Sequence, residues 1–348
     1  MDLRPELGSG PLHAPLWLIG ESWGAEEAGL RQPFVGQAGT LLSAALREAG
    51  LQRADVRLDT LAPAMRPDDA AWAWGAERLN ALIAAHRPKV IVGFGERVCA
   101  HLVGAAWPDD GIQKLRGYLW DAPCGRVLGS VAPQDILTSW TPWRPLLTMD
   151  LRKARDEVAL GAPPLTQRDV TIVTREADLP DLLRAAMRAP LLSVDIENTQ
   201  DLQLACVGFA PTPERAWVIP AHTPWQLDAI RALCESGVPK VLQNGQYDRF
   251  FLKRFARIVL RAQAFDTQLA WHALNPELAG KKTEVGYRKA GGRRTAKSLA
   301  FLASIYLRTP WWKSYNFSSD DAQYILCGHD VCNTLEIAQK MTHQLDAA

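Results

Sequence analysis

The sequence predicts an α/β protein of two domains, each a sheet covered by helices, the first sheet largely parallel and the second mixed. Three observations carry this. Strand-length apolar runs alternate with helix-period segments through residues 1–157. A stretch bearing Gly and Pro but no periodicity, GAPPLTQRD, then interrupts the pattern, and four strand-like runs follow in quick succession before helices return. At 348 residues, 47% of them hydrophobic, the chain is long enough for two cores of ordinary domain size. The expected division is 1–157 for the first domain, 158–168 for the linker and 169–348 for the second.

In chain order, PLWLIG reads as a short apolar strand. GTLLSAALREAGL has the i, i+3, i+4 apolar spacing of a helix and is stopped by Gly50. RLNALIAAHRPKVIVGFG is a helix followed by a Pro-bounded strand that ends at Gly93 and Gly95; RVLGSVAP is a later strand and TMDLRKARDEVAL a closing helix. Beyond the linker, TIVT, PLLSVDIE, ACVGFA and AWVIP are expected to form an antiparallel meander. Helices are expected around LDAIRALCESG, QYDRFFLKRFA and DTQLAWHAL.

A formal net charge of +1 gives no overall attraction to nucleic acid, so any such surface must be a local patch. No apolar run approaches the roughly 20 residues of a membrane span, and MDLRPELGSG lacks the layout of a signal peptide. A cytoplasmic protein without a membrane partner is expected. The six cysteines are dispersed without a C-x-x-C pair, which points to buried thiols rather than a compact zinc site or disulfides.

Four acids stand out by their settings: Asp195 and Glu197 in LLSVDIEN, Asp248 in VLQNGQYDRFFL and Asp330 in YILCGHDVCNTLEI. Each borders or lies within an apolar segment, where an unpaired carboxylate is costly to bury, so their convergence on one point requires a cation. Strand alternation places Asp195 and Glu197 on one sheet face. Four carboxylates around two divalent metals form a site for phosphodiester cleavage, and Mg²⁺ or Mn²⁺ suits an all-oxygen donor set. Residues 281–297, KKTEVGYRKAGGRRTAK, carry seven basic residues (Lys281, Lys282, Arg288, Lys289, Arg293, Arg294, Lys297) against Glu284, and read either as a solvated loop or as an arm touching phosphates.

These residues give the second half a resemblance to the DEDD family of 3′-to-5′ exonucleases, within it to the proofreading domain of family A DNA polymerases. Asp195-Ile-Glu197 matches the first motif. Asn244-Gly-Gln-Tyr-Asp248 matches N-x-x-x-D, Asp266-Thr267 the D-T that follows it, and Asp330 the last acid. The resemblance implies a ribonuclease-H-like mixed sheet and two metal ions about 3.5–4 Å apart, with Asn244 as a DNA contact; the basic segment joins it as a DNA contact on the phosphate-arm reading of its charge run. It departs from the family at the water-orienting position, where the usual Tyr is Leu326 and the sister group's His is Ile325. Tyr324 falls about 240° round the helix from Asp330, and His329 can take the role only if the segment is not regular helix.

The first half resembles uracil-DNA glycosylases of the iron-sulfur, family 4 type, through Gly20-Glu21 in LIGESWGAEE, RQPFVGQAGTLLSAALREAGL, RPKVIVGFGERVCAHLVG and the run Ile112, Lys114, Arg116-Gly117. In that family the Gly-Glu turn sits beside the scissile bond and the Phe of P-F-V-G stacks on a flipped base, which here implies Glu21 and Phe34. The histidine of the family's H-P-S motif aligns with Ala132, the uracil-reading Asn with Asp59 or Thr60, and the cluster cysteines are missing. The expectation is a parallel-sheet α/β sandwich that is a degenerate glycosylase without an iron-sulfur cluster.

Together the resemblances imply a metal-dependent proofreading-type 3′-to-5′ DNA exonuclease acting on single-stranded 3′ ends, as in phage-type polymerases. The partner would be a family A polymerase, on the same chain or as a separate subunit. A catalytically silent DNA-binding or polymerase-docking module and a uracil-DNA glycosylase are the alternatives.

Overall fold

A computed structural model describes residues 3–138, 143–279, 297–313 and 319–346. The chain divides into two compact units, Met1–Leu165 with Arg308–Trp311, and Thr166–Leu307 with Trp312–Ala348. The short segment Arg308–Trp311 thus belongs to the first unit although it lies inside the expected second domain.

In the first unit, strands β1 (Leu16–Trp23), β2 (Arg57–Met65), β3 (Val90–Phe94), β4 (Leu119–Ala122) and β5 (Gly125–Ser130) form one sheet in the order β2-β1-β3-β5-β4. The first four positions are parallel and β4 pairs antiparallel with β5. Helices α1 (Ala25–Leu30), α2 (Gln37–Glu48), α3 (Asp69–His86), α4 (Glu96–Val103), α5 (Ile112–Leu115), α6 (Pro133–Thr138) and α7 (Arg144–Leu160) connect and cover the strands. Leu16, Leu18, Val90, Val92 and Leu128 of the sheet pack against Leu42 and Leu46 of α2 and Leu147 and Leu151 of α7, which is why these strands read as continuous apolar runs. Two buried carboxylates of α7 are matched by arginines from the sheet side, Asp150 by Arg116 and Glu157 by Arg126. Strand β2 was not expected. Its Arg57, Asp59 and Pro63 disguise it, and the two charged side chains neutralise one another on the edge strand at 3.0 Å.

The second unit holds β6 (Asp169–Ile172), α8 (Leu179–Arg188), β7 (Leu192–Asn198), β8 (Leu204–Thr212), β9 (Arg215–Pro220), α9 (Pro224–Glu235), β10 (Lys240–Leu242) and α10 (Gly245–Phe251). A π-helical turn at Leu252–Ala256 leads on to β11 (Gln263–Asp266), α11 (Thr267–Leu274), α12 (Pro276–Ala279), α13 (Leu299–Tyr306) and α14 (Asp320–Asp346). The sheet order is β11-β10-β7-β8-β9-β6. Strands β7, β8 and β9 form the antiparallel meander, and β10 and β11 join it in parallel. Strand β6, expected within the meander, instead pairs parallel with β9 at the far edge. The alternation of β7 sends Leu192, Val194 and Ile196 into the core beneath α8 and α9. The opposite face of the sheet, with Ala210 of β8, Ala216 of β9 and Val241 of β10, packs on α14 through Val331, Cys332, Leu335 and Ala338.

Two glycines set how closely α14 approaches the sheet. A Cβ at Gly208 of β8 would stand 2.8 Å from Cys327 Sγ, and one at Gly328 of α14 would stand 2.4 Å from Val170 Cγ1. Gly208 is the cross-strand partner of Asp195, and partners in an antiparallel pair point to the same face. The contact that brings α14 down on β8 therefore also brings it to Asp195.

Candidate metal centre and the acids around it

Asp195 and Glu197 leave β7 toward α14, which carries Asp330. The carboxylate oxygens of these three residues lie within 4.8 Å of one another. Asp248 stands outside this triad. It projects from the inner face of α10, and its charge acts on Asp195. The start of α10 is built around Asn244 in the left-handed conformation (φ 62°) and Gly245, where a Cβ would meet Leu242 Cβ at 2.8 Å. Asp266 secures that turn, its carboxylate accepting from the backbone N–H of Asn244 and Gly245 and from those of Gln268 and Leu269 at the start of α11.

Burial and mutual repulsion dominate the electrostatics. Burial, then the charges of Asp248, Asp330 and Glu197, hold the Asp195 carboxyl well above the ordinary range. Burial and Asp330 push Glu197 up to about 7, and burial does the same to Asp248, partly offset by backbone N–H groups. The opposing cation is Lys313. Its Nζ donates to Asp330 Oδ2 at 2.6 Å, while Trp312 Nε1 donates to Oδ1 at 2.6 Å. Burial pulls the Lys313 ammonium down, but the carboxylates of Asp330, Asp195 and Glu197 outweigh it and hold it above the usual lysine value. A half-buried all-oxygen cluster in which burial and mutual repulsion raise the Asp195 and Glu197 carboxyls fits a divalent cation, because the ion removes both the repulsion and the desolvation cost.

Sequence reasoning missed Lys313 and Trp312. Only the chain path that follows α13 brings them to Asp330; a cation directly after two tryptophans was the available signal. Tyr247 was missed as well. It is exposed one residue before Asp248 and donates through its hydroxyl to Asn198 Oδ1 at 2.8 Å. Helix α14 is continuous through His329, so that ring leaves the helix about 100° from Asp330. Its Nδ1 is buried with no hydrogen-bond partner among the described residues, and burial lowers its pKa, an effect Asp330 opposes. Leu326 is buried, and Tyr324 turns to His222, sharing a hydrogen bond of 2.7 Å with Nε2. Lys281, Lys282, Arg288, Lys289, Arg293 and Arg294 lie outside the described residues, and Lys297 is half-buried, its carbonyl accepting from Gln243 Nε2.

In the first unit, Glu21 lies two residues before the end of β1, with Oε1 accepting from the backbone N–H of Arg97 at 2.9 Å. Burial raises its pKa, with Asp135 adding to the rise. Phe34 is half-buried on the core, edge-on to Phe94 at 5.8 Å, with its ring end against Gly20. Ala132 packs on the same core. Asp59 was expected beside these residues but faces the other way. It is buried between Arg57 and Arg78, at 3.0 and 2.5 Å, because i and i+2 alternation puts it on the Arg57 face of β2. The neighbouring Thr60 instead faces Gly20, and its buried Oγ1 has no hydrogen-bond partner among the described residues.

A mixed six-stranded sheet that brings two acids of one strand to an acid of the terminal helix, with Asp248 of α10 beside them, is the arrangement expected of an exonuclease domain. The comparisons with known proteins agree. The family described as 3′-5′ exonuclease matches residues 170–346, and the Uracil DNA glycosylase superfamily matches residues 7–159. The chain belongs to the 3′-5′ exonuclease family, with a uracil-DNA glycosylase superfamily domain in its N-terminal half.

A type-4 uracil-DNA glycosylase from Thermotoga maritima is 30% identical over 156 residues, 43% of this chain and 80% of that protein. Among solved structures, the POL domain of Pol1 from M. smegmatis in complex with DNA primer-template and dNTP is 16% identical with a TM-score of 0.38. That match covers 51% of this chain and 28% of the polymerase. Escherichia coli RNase D, an exoribonuclease involved in structured RNA processing, is 19% identical with a TM-score of 0.32, over 51% of this chain and 46% of its own. The chain spans less than two thirds of the length of either solved structure.

Proposed function

We propose that the protein is a metal-dependent 3′-to-5′ DNA exonuclease of the proofreading type. The observation that carries this is the carboxylate triad of Asp195, Glu197 and Asp330 within 4.8 Å, half-buried and self-repelling, with Asp248 beside it. These four residues would hold two Mg²⁺ or Mn²⁺ ions. Bound divalent metal supplies Lewis acidity toward the phosphate and a lowered pKa for water. The chain's own residues do the rest. Asp195 and Glu197 present their carboxylates from one face of β7, and Trp312 and Lys313 hold both oxygens of Asp330 in place. Tyr247, tethered through Asn198, stands exposed next to Asp248 where a terminal nucleotide would enter. Asn244 is the expected DNA contact one turn before Asp248, whereas His329, on a regular turn of α14 about 100° round from Asp330, is not assigned the water-orienting role, which His329→Ala checks.

The N-terminal domain is read as a degenerate glycosylase that holds DNA or a polymerase partner. Asp59 is locked in its ion pairs, Ala132 replaces the histidine that would stabilise a departing uracil anion, and Phe34 is committed to the core. The test is digestion of a 5′-labelled single DNA strand, beside an RNA strand of the same sequence, with Mg²⁺, Mn²⁺ or chelator. The expected result is a metal-dependent ladder on DNA that Asp195→Ala abolishes. Binding without a ladder would support the silent module instead, and a ladder unaffected by Asp195→Ala would misplace the site.

A further inference from the structure

The outer face of α10 and the π-helical turn that prolongs it carry a charge pattern the acid site does not use. Between Arg249 and Arg261 the chain places five cations, Arg249, Lys253, Arg254, Arg257 and Arg261, and no acid. All five are exposed, and none is engaged in an ion pair among the described residues. Large aromatics sit among them. Phe250 is 62% exposed and Phe255 42%, their rings edge to face at 6.4 Å, with the Arg254 guanidinium 5.5 Å from the Phe255 ring.

A solvated charge run explains the cations. It does not explain two exposed phenylalanines interleaved with them, because exposed aromatic surface of that size is unfavourable unless something covers it. Helical spacing puts Gln246, Arg249, Phe250 and Lys253 on one face, opposite Asp248 and Phe251. That face and Leu269 border a groove of about 610 Å³ that runs to Asn244, one turn before Asp248. The acid lining the groove, Asp266, already accepts four backbone N–H bonds. The groove is therefore lined by two cations, an aromatic ring and amides beside the apolar Val259, Leu260 and Leu269, and the Asp266 carboxylate is engaged by backbone N–H groups.

We infer that this face is a binding surface for single-stranded nucleic acid, with Arg249 and Lys253 on phosphates and a base stacked on Phe250. Unpaired bases offer π-faces that an exposed ring can cover, whereas duplex bases are already stacked, and the exposed cations beside the rings offer charge partners to phosphates. π-helical turns recur where a helix must re-aim side chains for function, and here the turn carries Lys253, Arg254 and Phe255. The surface lies on the opposite side of α10 from the acids and operates whether or not they cleave.

The test is fluorescence anisotropy of the full chain with a labelled oligothymidine, in chelator so that nothing is cut, across a range of salt. The fourfold variant Arg249→Gln, Lys253→Gln, Arg254→Gln, Arg257→Gln should weaken binding at least tenfold. It should also flatten the slope of log affinity against log salt by up to about 3, at about 0.7 per phosphate contact on a single strand. Phe250→Ala should weaken binding about tenfold while leaving the slope unchanged, the signature of a lost stacking contact. Asp195→Ala, which removes cleavage, should bind as the wild type does, so failure of the nuclease reading leaves this measurement intact. Wild-type affinity and slope in the folded fourfold variant would overturn the proposal, as would equal weakening by Phe250→Ala for single-stranded and duplex DNA.

Discussion

Glu197 offers a test in which the perturbation is small and the expected size follows from the structure. Its carboxyl is raised from the ordinary 4.5 to about 7, first by burial and then by Asp330. A folded-state pKa above the unfolded value means that the folded protein binds the proton more tightly. The stabilising contribution is full below the unfolded pKa and is lost as pH rises through the folded value. At about 1.4 kcal/mol per unit the gap corresponds to about 3 kcal/mol, and sharing of protons with its acidic neighbours reduces the part belonging to Glu197 to about 2 kcal/mol. Metal-free protein should therefore lose stability from about pH 5 to about pH 8. Asp248, also raised to about 7, contributes a second share.

The measurement is urea denaturation at a series of pH values in chelator, following the transition that Mn²⁺ shifts. With Asp195 raised as well, Glu197→Gln should remove about a third of the pH slope, and saturating Mn²⁺ should remove nearly all of it in the wild type, because metal binding replaces the proton. Parallel stability curves for wild type and Glu197→Gln across this range would show that Glu197 is not buried against Asp330 in the folded protein.

Asp195→Ala and Asp248→Ala should each abolish metal-dependent cleavage while circular dichroism and thermal unfolding show an intact fold; full cleavage by either variant would contradict the assignment. Lys313→Met should cost on the order of 2 kcal/mol in chelator, since it strips the countercharge from a half-buried carboxylate cluster, and clearly less with Mn²⁺ present; an equal loss in both conditions would mean Lys313 acts only through packing. The full chain in chelator should form no alkali-labile sites on uracil-containing DNA, because loss of a preorganised contact to the departing base costs about a hundredfold or more. Efficient excision that disappears with Glu21→Ala would instead restore the first domain as an active glycosylase.

The acids were legible because their signal is local. Asp195 and Glu197 sit at alternate positions of one strand, and Asp248 and Asp330 each interrupt an apolar helix face, so burial and periodicity expose them without any knowledge of partners. Lys313 was not legible for the opposite reason. Its role is created by the tertiary approach of the segment after α13 to Asp330, 17 residues away along the chain, and no spacing rule reports that. The same distinction explains the first domain. Buried apolar strands such as β1 and β3 announced themselves, whereas β2 hid behind Arg57 and Asp59, whose pairing with one another and with Arg78 of α3 is a product of the fold. Which of Asp59 and Thr60 faces Gly20 is a matter of strand parity, and parity cannot be assigned to a strand that has not been recognised.

The two glycine contacts beneath α14 give the acid cluster its mechanical tolerance. Asp330 is held to the β7 acids by no bond of its own; its separation from them is the stand-off distance of a helix resting on Gly208 and on Val170. A single methyl group at Gly208, 2.8 Å from Cys327 Sγ, would act as a shim and lift the helix by tenths of an ångström. If these carboxylates hold divalent cations in common, as proposed, their donor positions leave little slack to absorb such a lift. Substitutions that touch none of the acids can then detune the chemistry while leaving the fold and its stability nearly unchanged.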